Sequence, residues 1–219
     1  VALASTSATR AAPAGTMNLL ARILGLPLDP AEAVLRVIDG YRPCALRPGT
    51  ANGRVFLLMA GAGFDAWVLR ELLRVFSAKI RFRDYARGAI RGLRTFPFQR
   101  LTIDHDGVRV QAHTAIVGRA PLYGGFLRPT PHARLEIDGL ELCAIDGGPA
   151  RFAVAFPRLW SGAHGGCDGI TLVPARHVAI TAPIDDLPYH LDGELAGTLP
   201  VVVGLSERTL VLATPRRSP

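Results

Sequence analysis

The part of the sequence that most constrains the fold runs from Leu101 to the C-terminus, where short apolar segments alternate with turn signals. Each segment is rich in aliphatic residues and is bounded by Gly, Pro, Asp or Ser, which is typical of antiparallel strands. Asp106-Gly107 between two such segments is a strong signal for a β-hairpin. The predicted strands are residues 101–105, 108–112, 114–117, 140–145, 151–155, 177–181, 200–203 and 209–213.

Helical spacing dominates the sequence before residue 101. Asp29 is followed by Pro30 and Glu32, which is the arrangement of an N-cap, a first-turn proline and a capping box. The apolar residues of 19–24 predict another helix, and two more are predicted over residues 66–76 and 84–93. We therefore predict an α+β chain, mainly an antiparallel β-sandwich with a helical N-terminal region.

The charge balance suits an acidic partner. The chain has 25 Lys and Arg against 18 Asp and Glu, a net charge of +7, and Lys79 is its only lysine. A basic surface favours nucleic acid, anionic lipid or nucleotide phosphate. Three cysteines without metal-ligand spacing are typical of small core residues in a reducing compartment. No apolar run reaches the roughly 20 residues that span a bilayer. The first dozen residues lack the basic start and apolar middle of a signal peptide, and with the cysteine usage this leads us to expect a cytoplasmic location.

Residues 189–194 form the candidate site, with the sequence Tyr-His-Leu-Asp-Gly-Glu. Asp192 and Glu194 flank Gly193 between apolar segments, and a carboxylate held at the end of a buried strand is well placed for acid–base chemistry. Asp-Gly is also the commonest hairpin signal. Taken alone, this stretch therefore favours a plain turn with solvated acids.

Two glycine-containing turns precede predicted helices. Gly15, Thr16 and Asn18 lie where backbone N–H groups at a helix N-terminus can bind phosphate, although an ordinary helix start explains them as well. The second turn, at residues 61–65, lacks the third glycine of a dinucleotide-binding fingerprint. Its Asp65 is therefore interpreted as a helix cap.

A run of basic residues crosses the two helices predicted over 66–76 and 84–93. Several arginines repeat at a spacing of four, so that each set shares one helix face. A solvated face is the default interpretation, and contact with anionic lipid head groups is the functional one. The basic residues are Arg70, Arg74, Lys79, Arg81, Arg83, Arg87, Arg91 and Arg94.

Taken together and in this order, the motifs resemble those of the diacylglycerol-kinase-type bacterial lipid kinases, a family related to the sphingosine kinases and more distantly to the NAD kinases. The resemblance covers nearly everything from Pro13 to Pro215, and the ordered set is more specific than any one motif. The matching segments are Pro13-Ala14-Gly15-Thr16-Met17-Asn18, Leu24-Gly25-Leu26-Pro27, Gly61-x-Gly63-Phe64-Asp65-Ala66, Tyr123-Gly124-Gly125, residues 133–142, Gly162-x-His164, and Asp192-Gly193-Glu194 with Gly197 and Pro200.

The resemblance implies two domains, an α/β nucleotide-binding domain and a β-sandwich whose final strand motif supplies the catalytic carboxylate. Residues 1–12 would then be a disordered or non-native start, 13–42 a remnant of the ATP-binding domain and 43–215 the β-sandwich. The Gly-Gly-Asp-Gly-Thr loop that the family carries has no counterpart before Pro13, and Leu19 replaces the usual Asp after Asn18. The expectation is therefore the C-terminal part of such a kinase.

Members of this family transfer the γ-phosphoryl group of ATP to a lipid hydroxyl, with Mg²⁺. By resemblance, Glu194 corresponds to the general base that deprotonates the hydroxyl, and Asp192 would help to place that base or the metal. Thr16, together with Gly15 and Asn18, would contact the nucleotide. These roles fit phosphoryl transfer, which needs positioning and charge neutralisation more than covalent catalysis.

A structural Mg²⁺ is also implied by the resemblance. Asp138 would be its side-chain ligand, and Arg134 and Leu140 would contribute carbonyl oxygens. The expected partners are a lipid substrate and an anionic membrane surface, to which the protein would bind peripherally. Because aromatic residues are sparse near the basic run, nucleic acid ranks below lipid, and a homodimer is left open.

Two hypotheses from different classes follow from the sequence. The first is a diacylglycerol-kinase-type lipid kinase, present here in truncated form. The second is a non-catalytic β-sandwich that derives from such a kinase and binds a lipid or a protein partner. A nucleic-acid-binding domain is a third hypothesis, which rests on net charge alone.

Overall fold

The computed structural model describes residues 9–10, 18–75 and 82–215. Within them, five helices occupy α1 Leu19–Leu24, α2 Pro30–Ile38, α3 Phe64–Val75, α4 Phe82–Thr95 and α5 Pro149–Ser161. The strands are β1 Thr9–Arg10, β2 Tyr41–Leu46, β3 Gly49–Ala51, β4 Arg54–Phe56, β5 Met59–Gly63, β6 Leu101–His105, β7 Val108–Ala112, β8 Thr114–Gly118, β9 Leu140–Ile145, β10 Ile170–Ala175, β11 Val178–Thr181, β12 Pro188–Leu191, β13 Glu194–Thr198, β14 Val201–Leu205 and β15 Leu210–Pro215.

Most strands belong to two six-stranded antiparallel sheets. One sheet has the order β10-β9-β8-β5-β12-β13 and the other the order β4-β3-β14-β11-β6-β7. A third sheet, β1-β15-β2, contains the parallel pair β1 and β15. The predicted α+β class with a mainly antiparallel β architecture is confirmed.

The main hydrophobic core contains apolar residues from both six-stranded sheets. Leu142 and Val117 of the first sheet and Ile103, Val178 and Val203 of the second are fully buried members of one cluster. Alternation of buried and exposed residues along β14 is what a strand with one face on this core requires. The core therefore fixes the two sheets, and with them the turns at their ends.

The N-terminal helices pack against the sheet that contains the last strand. Ala21 and Leu26 from the first helix and its C-terminal turn share a cluster with Val37 of α2 and Ala213 of β15. The predicted N-cap and first-turn proline of α2 are present, because Asp29 accepts a hydrogen bond from the Glu32 N–H at 2.8 Å and Pro30 begins the helix. The residues assigned to the ATP-domain remnant thus pack directly against β15.

One predicted strand is wrong. Residues 151–155 lie in α5, whose Ala155 and Leu159 pack against Cys143 and Ile145 of β9. The burial of one helix face here outweighs the local strand propensity of an Arg-Phe-Ala-Val-Ala sequence. The apolar run of residues 55–60 is divided between β4 and β5.

Candidate functional site

The candidate site is built on the hairpin between β12 and β13. Leu191 pairs with Glu194, so that Asp192 and Gly193 alone form the turn. Their φ angles are 51° and 87°, which is the backbone of a type I′ turn. Asn or Asp followed by Gly is favoured there because both central residues need a positive φ. The sequence therefore determines the geometry of the turn, and β12 itself is buried between β5 and β13.

The Asp192 carboxylate is fully engaged by backbone groups. Its Oδ2 accepts a hydrogen bond from the Leu57 N–H at 2.7 Å, and its Oδ1 accepts from the N–H groups of Leu58 and Met59 at 2.8 and 2.9 Å. The Asp192 N–H in turn donates to the Met59 carbonyl at 2.9 Å. Asp192 therefore fastens the turn to the start of β5, which agrees with a placing role and not with direct chemistry.

Glu194 is the first residue of β13 and is exposed. Within the described residues, its carboxylate has neither a hydrogen bond nor an ion pair. Its backbone is nevertheless fixed by the β12–β13 pairing on one side and by the Asp192 turn on the other. Glu194 is thus a free carboxylate on a rigid support, as a general base requires.

A buried polar network lies directly behind this turn. His190 is 0% exposed, and its Nε2 lies 2.6 Å from Asp65 Oδ2. Tyr123 donates its hydroxyl to the other carboxylate oxygen of Asp65 at 2.5 Å, and its ring stacks on the His190 ring at a centroid distance of 6.0 Å. Three side chains from distant parts of the chain therefore converge under the turn.

The network also reaches the turn itself. The Gly193 N–H lies 3.3 Å from His190 Nδ1 and donates to it. Because Nδ1 accepts this bond, the hydrogen bond to Asp65 assigns the proton to Nε2. His190 thus connects the Asp65 carboxylate to the backbone next to Glu194. The same two hydrogen bonds determine the tautomer of His190 and hold the turn in place.

Gly61 makes the close approach of these groups possible. It pairs with His190 across β5 and β12, and a Cβ atom at this position would overlap Asp65 Oδ2 and His190 Nε2. Only a residue without a side chain leaves room for the pair. The glycine of the Gly61-x-Gly63 motif is therefore explained by packing against this network and not by phosphate binding.

The structure places the predicted nucleotide-contacting residues only in part. Gly15 and Thr16 lie outside the described residues. Asn18 is the N-cap of α1, with a left-handed φ of 48°, and its carbonyl accepts a hydrogen bond from the Arg22 N–H at 3.0 Å. The nucleotide contacts stay a prediction.

The ligand set predicted for a structural Mg²⁺ does not fit this structure. The Asp138 carboxylate is 57% exposed and pairs with Arg47 at 3.4 Å. The Arg134 carbonyl faces the guanidinium of Arg119, and the Gly139 carbonyl, not that of Leu140, is bound by the same group at 2.6 Å. Within the described part of the chain, no cluster of three His, Cys, Asp or Glu side chains could hold a metal.

The predicted basic face contains arginines that already have acidic partners. Arg74 and Arg91 both bind the buried carboxylate of Glu71, at 2.9 and 2.8 Å. Arg70 pairs with Asp186 and lies over the ring of Trp67. The side chains of Arg83 and Arg87, and all of residues 76–81, lie outside the described part of the structure.

Sequence patterns do not identify four residues that hold the polar networks of this structure. From the sequence, Asp65 is expected to be a helix cap, and no role follows for Tyr123, His190 or Arg119. A buried-strand position for His190, beside an Asp-Gly turn, was the available signal. Its partner Asp65 is 125 residues away in sequence, so spacing could not connect the two.

Comparison with known proteins gives a consistent result. Residues 59–214 match the model of the YegS C-terminal NAD kinase beta sandwich-like domain. The chain is 29% identical over 170 residues to a protein of Bacillus subtilis (strain 168) named putative lipid kinase YtlR, covering 73% of this chain and 54% of that protein. It is 28% identical over 197 residues to the diacylglycerol kinase of the same organism, covering 86% of this chain and 63% of the relative.

A solved structure shows the same fold. The crystal structure of a putative diacylglycerol kinase from Bacillus anthracis str. Sterne superposes with a TM-score of 0.71 at 18% identity, covering 96% of this chain and 70% of that chain. The chain thus spans between about half and two thirds of the length of the curated relatives described above. No helix in the described residues is long and apolar enough to cross a membrane.

Proposed function

Since the chain belongs to the family of the YegS C-terminal NAD kinase beta sandwich-like domain, we propose that it is the C-terminal part of an ATP-dependent lipid kinase. Its relatives are named lipid kinase and diacylglycerol kinase. The proposed reaction transfers the γ-phosphoryl group of ATP to the hydroxyl of diacylglycerol or a similar lipid. Glu194 is the proposed general base.

One observation carries this proposal, namely the free Glu194 carboxylate on a turn that is fixed from two sides. The hydrogen bonds of Asp192 fix the turn to β5, and His190 fixes it to Asp65. Phosphoryl transfer depends mainly on holding the acceptor hydroxyl and the phosphate in line, so a base needs a defined position more than an unusual environment. The rigid turn supplies that position.

The network behind the turn has a positioning role in this proposal. Asp65 accepts hydrogen bonds from both Tyr123 and His190, and this use of both oxygens holds the His190 ring in one orientation. His190 is fully buried, so it acts on the turn through the Gly193 N–H and not on the substrate. Loss of the network should therefore loosen the placement of Glu194.

ATP and Mg²⁺ are proposed as the nucleotide and metal of the reaction. Gly15, Thr16 and Asn18 remain the predicted contacts to the nucleotide. Mg²⁺ that accompanies the phosphates would neutralise their charge during transfer. The remaining length of the relatives, beyond the part that this chain spans, is the proposed source of the other nucleotide contacts.

The lipid substrate implies contact with a membrane surface. Exposed Leu73 of α3 and Ile90 of α4 lie on the two helices that carry the basic run. Apolar residues beside arginines on a surface helix are the combination that binds an anionic lipid interface. We propose these helices as the peripheral membrane-binding surface.

The test uses a fusion in which the N-terminal part of the Bacillus subtilis diacylglycerol kinase precedes residue 13. The fusion should phosphorylate diacylglycerol in vesicles when ATP and Mg²⁺ are present. Glu194→Gln should lower its turnover by a factor on the order of 10²–10⁴, the usual contribution of a positioned general base. Its free energy of unfolding should not change, because the carboxylate is exposed.

Glu207→Gln is the matched control, since Glu207 is also an exposed glutamate of the β-sandwich in a turn, between β14 and β15. Its turnover should stay within about twofold of the unmodified fusion. Turnover of Glu194→Gln within a few-fold of the unmodified fusion would remove Glu194 from the mechanism. A folded fusion that binds vesicles and ATP without phosphorylating any lipid would favour the non-catalytic alternative.

A further inference from the structure

Backbone carbonyl groups of one loop converge on the side chain of Arg119. This arginine follows β8 directly and is 0% exposed. Its Nη1 donates to the carbonyls of Ile137 and Gly139, both at 2.6 Å, and its Nη2 donates to that of Leu135 at 2.7 Å. The loop of residues 134–139 is therefore wrapped around a guanidinium.

A second segment completes the enclosure. Arg119 Nε donates to the carbonyl of Arg47 at 3.0 Å, and the Arg134 carbonyl lies 3.5 Å from Nη1. Four of the five N–H groups of the guanidinium thus have acceptors at 3.0 Å or less, counting one each from Arg47, Leu135, Ile137 and Gly139. Every acceptor is a backbone carbonyl.

Such a set of inward-pointing carbonyls needs a positive centre. Carbonyl oxygens are ligands for Ca²⁺ and Mg²⁺, and they are equally acceptors for the planar donors of arginine. In this chain the donors lie within hydrogen-bond distance of the oxygens, so the guanidinium itself fills the position of a cation. A divalent metal could bind these oxygens only by displacing the guanidinium.

The charge of Arg119 is compatible with its burial. Burial lowers the pKa of Arg119, and the nearby carboxylates of Asp138 and Glu136 oppose this shift. An arginine remains protonated in proteins because its pKa begins above 12. The buried charge is therefore permanent, and the carbonyl dipoles replace the water that solvated it.

We propose that Arg119 is the built-in cation of the 134–139 loop and that this loop folds without a bound divalent metal. The structural Mg²⁺ expected at this loop is replaced by a side chain of the chain itself. The proposal rests on the contacts of Arg119 and is independent of the role of Glu194. It concerns only this loop and not the Mg²⁺ that accompanies ATP.

The first experiment measures the midpoint of thermal unfolding of the unmodified 219-residue chain. The chain is dialysed against EDTA and compared with samples that contain millimolar Mg²⁺ or Ca²⁺. The midpoint should agree within about 1 °C under all three conditions, since no metal is linked to folding. A midpoint that falls by several degrees on chelation and returns with either metal would overturn the proposal.

Two variants test the residues directly. Arg119→Ala should lower the midpoint by roughly 10 °C or more, because it leaves several buried carbonyls without donors. Arg54→Ala is the matched control, since Arg54 also donates to one carbonyl, that of Ala196, but at an exposed site. It should shift the midpoint by no more than about 2 °C.

Asp138→Ala separates the arginine from a metal ligand. Asp138 is exposed and, among the described residues, pairs with Arg47 alone, so its removal should leave the midpoint within about 2 °C, with or without Mg²⁺. A large metal-dependent loss in Asp138→Ala would contradict the proposal.

If Arg119→Ala does not fold, Arg119→Lys provides the measurement. Lysine keeps the charge but cannot span four carbonyls, so this variant should still lower the midpoint by several degrees. A midpoint for Arg119→Lys equal to that of the unmodified chain would also overturn the proposal.

Discussion

Two Asp-Gly hairpins, one in each six-stranded sheet, have nearly the same geometry but different surroundings. The first turn is Asp106-Gly107, between β6 and β7, and the second is Asp192-Gly193, between β12 and β13. Their φ angles are 51° and 88° in the first and 51° and 87° in the second. Each hairpin forms the end of its sheet.

The two turns are fastened in the same way. Asp106 accepts hydrogen bonds from the backbone of Arg176 and His177, at the start of the neighbouring strand, as Asp192 does from residues 57–59. In each turn the N–H of the aspartate donates back to that same segment, at 3.1 Å for Asp106 and 2.9 Å for Asp192. This repetition shows that the aspartate of each Asp-Gly hairpin has a structural role. We call it the clip of its hairpin, because its carboxylate and its N–H bind the turn to the neighbouring segment.

The difference lies in the residues next to the clip. Val108 directly follows the first turn. Asp104, two residues before this turn, accepts a hydrogen bond from the Gly107 N–H at 3.0 Å. At the second turn, Glu194 stands at the position of Val108 and His190 at that of Asp104. His190 accepts the Gly193 N–H and also forms a hydrogen bond with Asp65. Chemistry is therefore expected from the positions where the two turns differ, and not from the aspartate that they share.

The largest expected effect comes from removing the two clips in turn. Asp192→Ala should lower the free energy of unfolding by about 2–4 kcal/mol, because the N–H groups of the buried Leu58 and Met59 lose their acceptor. Asp106→Ala should cost about 1–2 kcal/mol, because Arg176 and His177 are exposed and water replaces the carboxylate. Urea unfolding followed by tryptophan fluorescence at neutral pH measures both.

The matched controls are Asp192→Asn and Asp106→Asn. Asparagine keeps one acceptor oxygen and tolerates the left-handed backbone of the turn, so each should lose less than half of what the alanine variant loses. Equal losses for the two alanine variants would mean that burial of the donors does not distinguish the turns. A loss of activity without a loss of stability in Asp192→Asn would mean that Asp192 takes part in the chemistry and not only in holding the turn.

A smaller effect is expected at Gly61. This glycine lies in β5, which pairs with β12 and therefore adjoins only the second of the two hairpins. Gly61→Ala should lower the free energy of unfolding by about 2 kcal/mol, because its Cβ would overlap both Asp65 Oδ2 and His190 Nε2 and must displace them. Gly204→Ala is the control, since a Cβ there meets only the Arg176 carbonyl at 3.9 Å. Histidine NMR should show a changed His190 environment in Gly61→Ala alone, and an unchanged spectrum would contradict the close packing.

The hairpins show which features the sequence could predict. Asp-Gly between apolar segments needs only local backbone preferences, and so both the strand pairing at Asp106 and the turn at Asp192 were predictable. The α+β class followed from the same local signals. The resemblance singled out Glu194, and its exposed, fixed position is compatible with that role.

Long-range polar contacts could not be predicted in this way. His190 and Asp65 meet because β12 pairs with β5, and no local pattern specifies that pairing. Arg119 looks like any arginine in the sequence, and only the folded loop shows that carbonyls surround it. Residues 151–155 have strand-forming composition, but the burial of one face of α5 decided their conformation.

The smallest effect concerns the helix behind the second turn. α3 carries Asp65 near its start and packs against β5, β12 and β13. Further along it, Glu71 is only 3% exposed, and the hydrogen bond from Arg91 is the main cause that lowers the pKa of Glu71, followed by the opposing effect of burial and then by the charge of Arg74. This carboxylate anchors the helix that positions the Asp65–His190 pair.

Glu71→Gln should lower the free energy of unfolding by about 1 kcal/mol at neutral pH, since both arginine partners are more than half exposed and water screens them. The pKa of Glu71 is lowered in the folded state, so its stabilisation is complete above the unfolded value of about 4.3 and is lost as the pH falls through the folded value. The difference between the unmodified chain and Glu71→Gln should therefore shrink below about pH 4, which urea unfolding at several pH values would measure. Hydrogen exchange should report the loss in the β12–β13 amides before the β6–β7 amides, because α3 supports the former hairpin. A difference that stays constant down to pH about 3 would mean that the shape of Glu71, and not its charge, anchors α3.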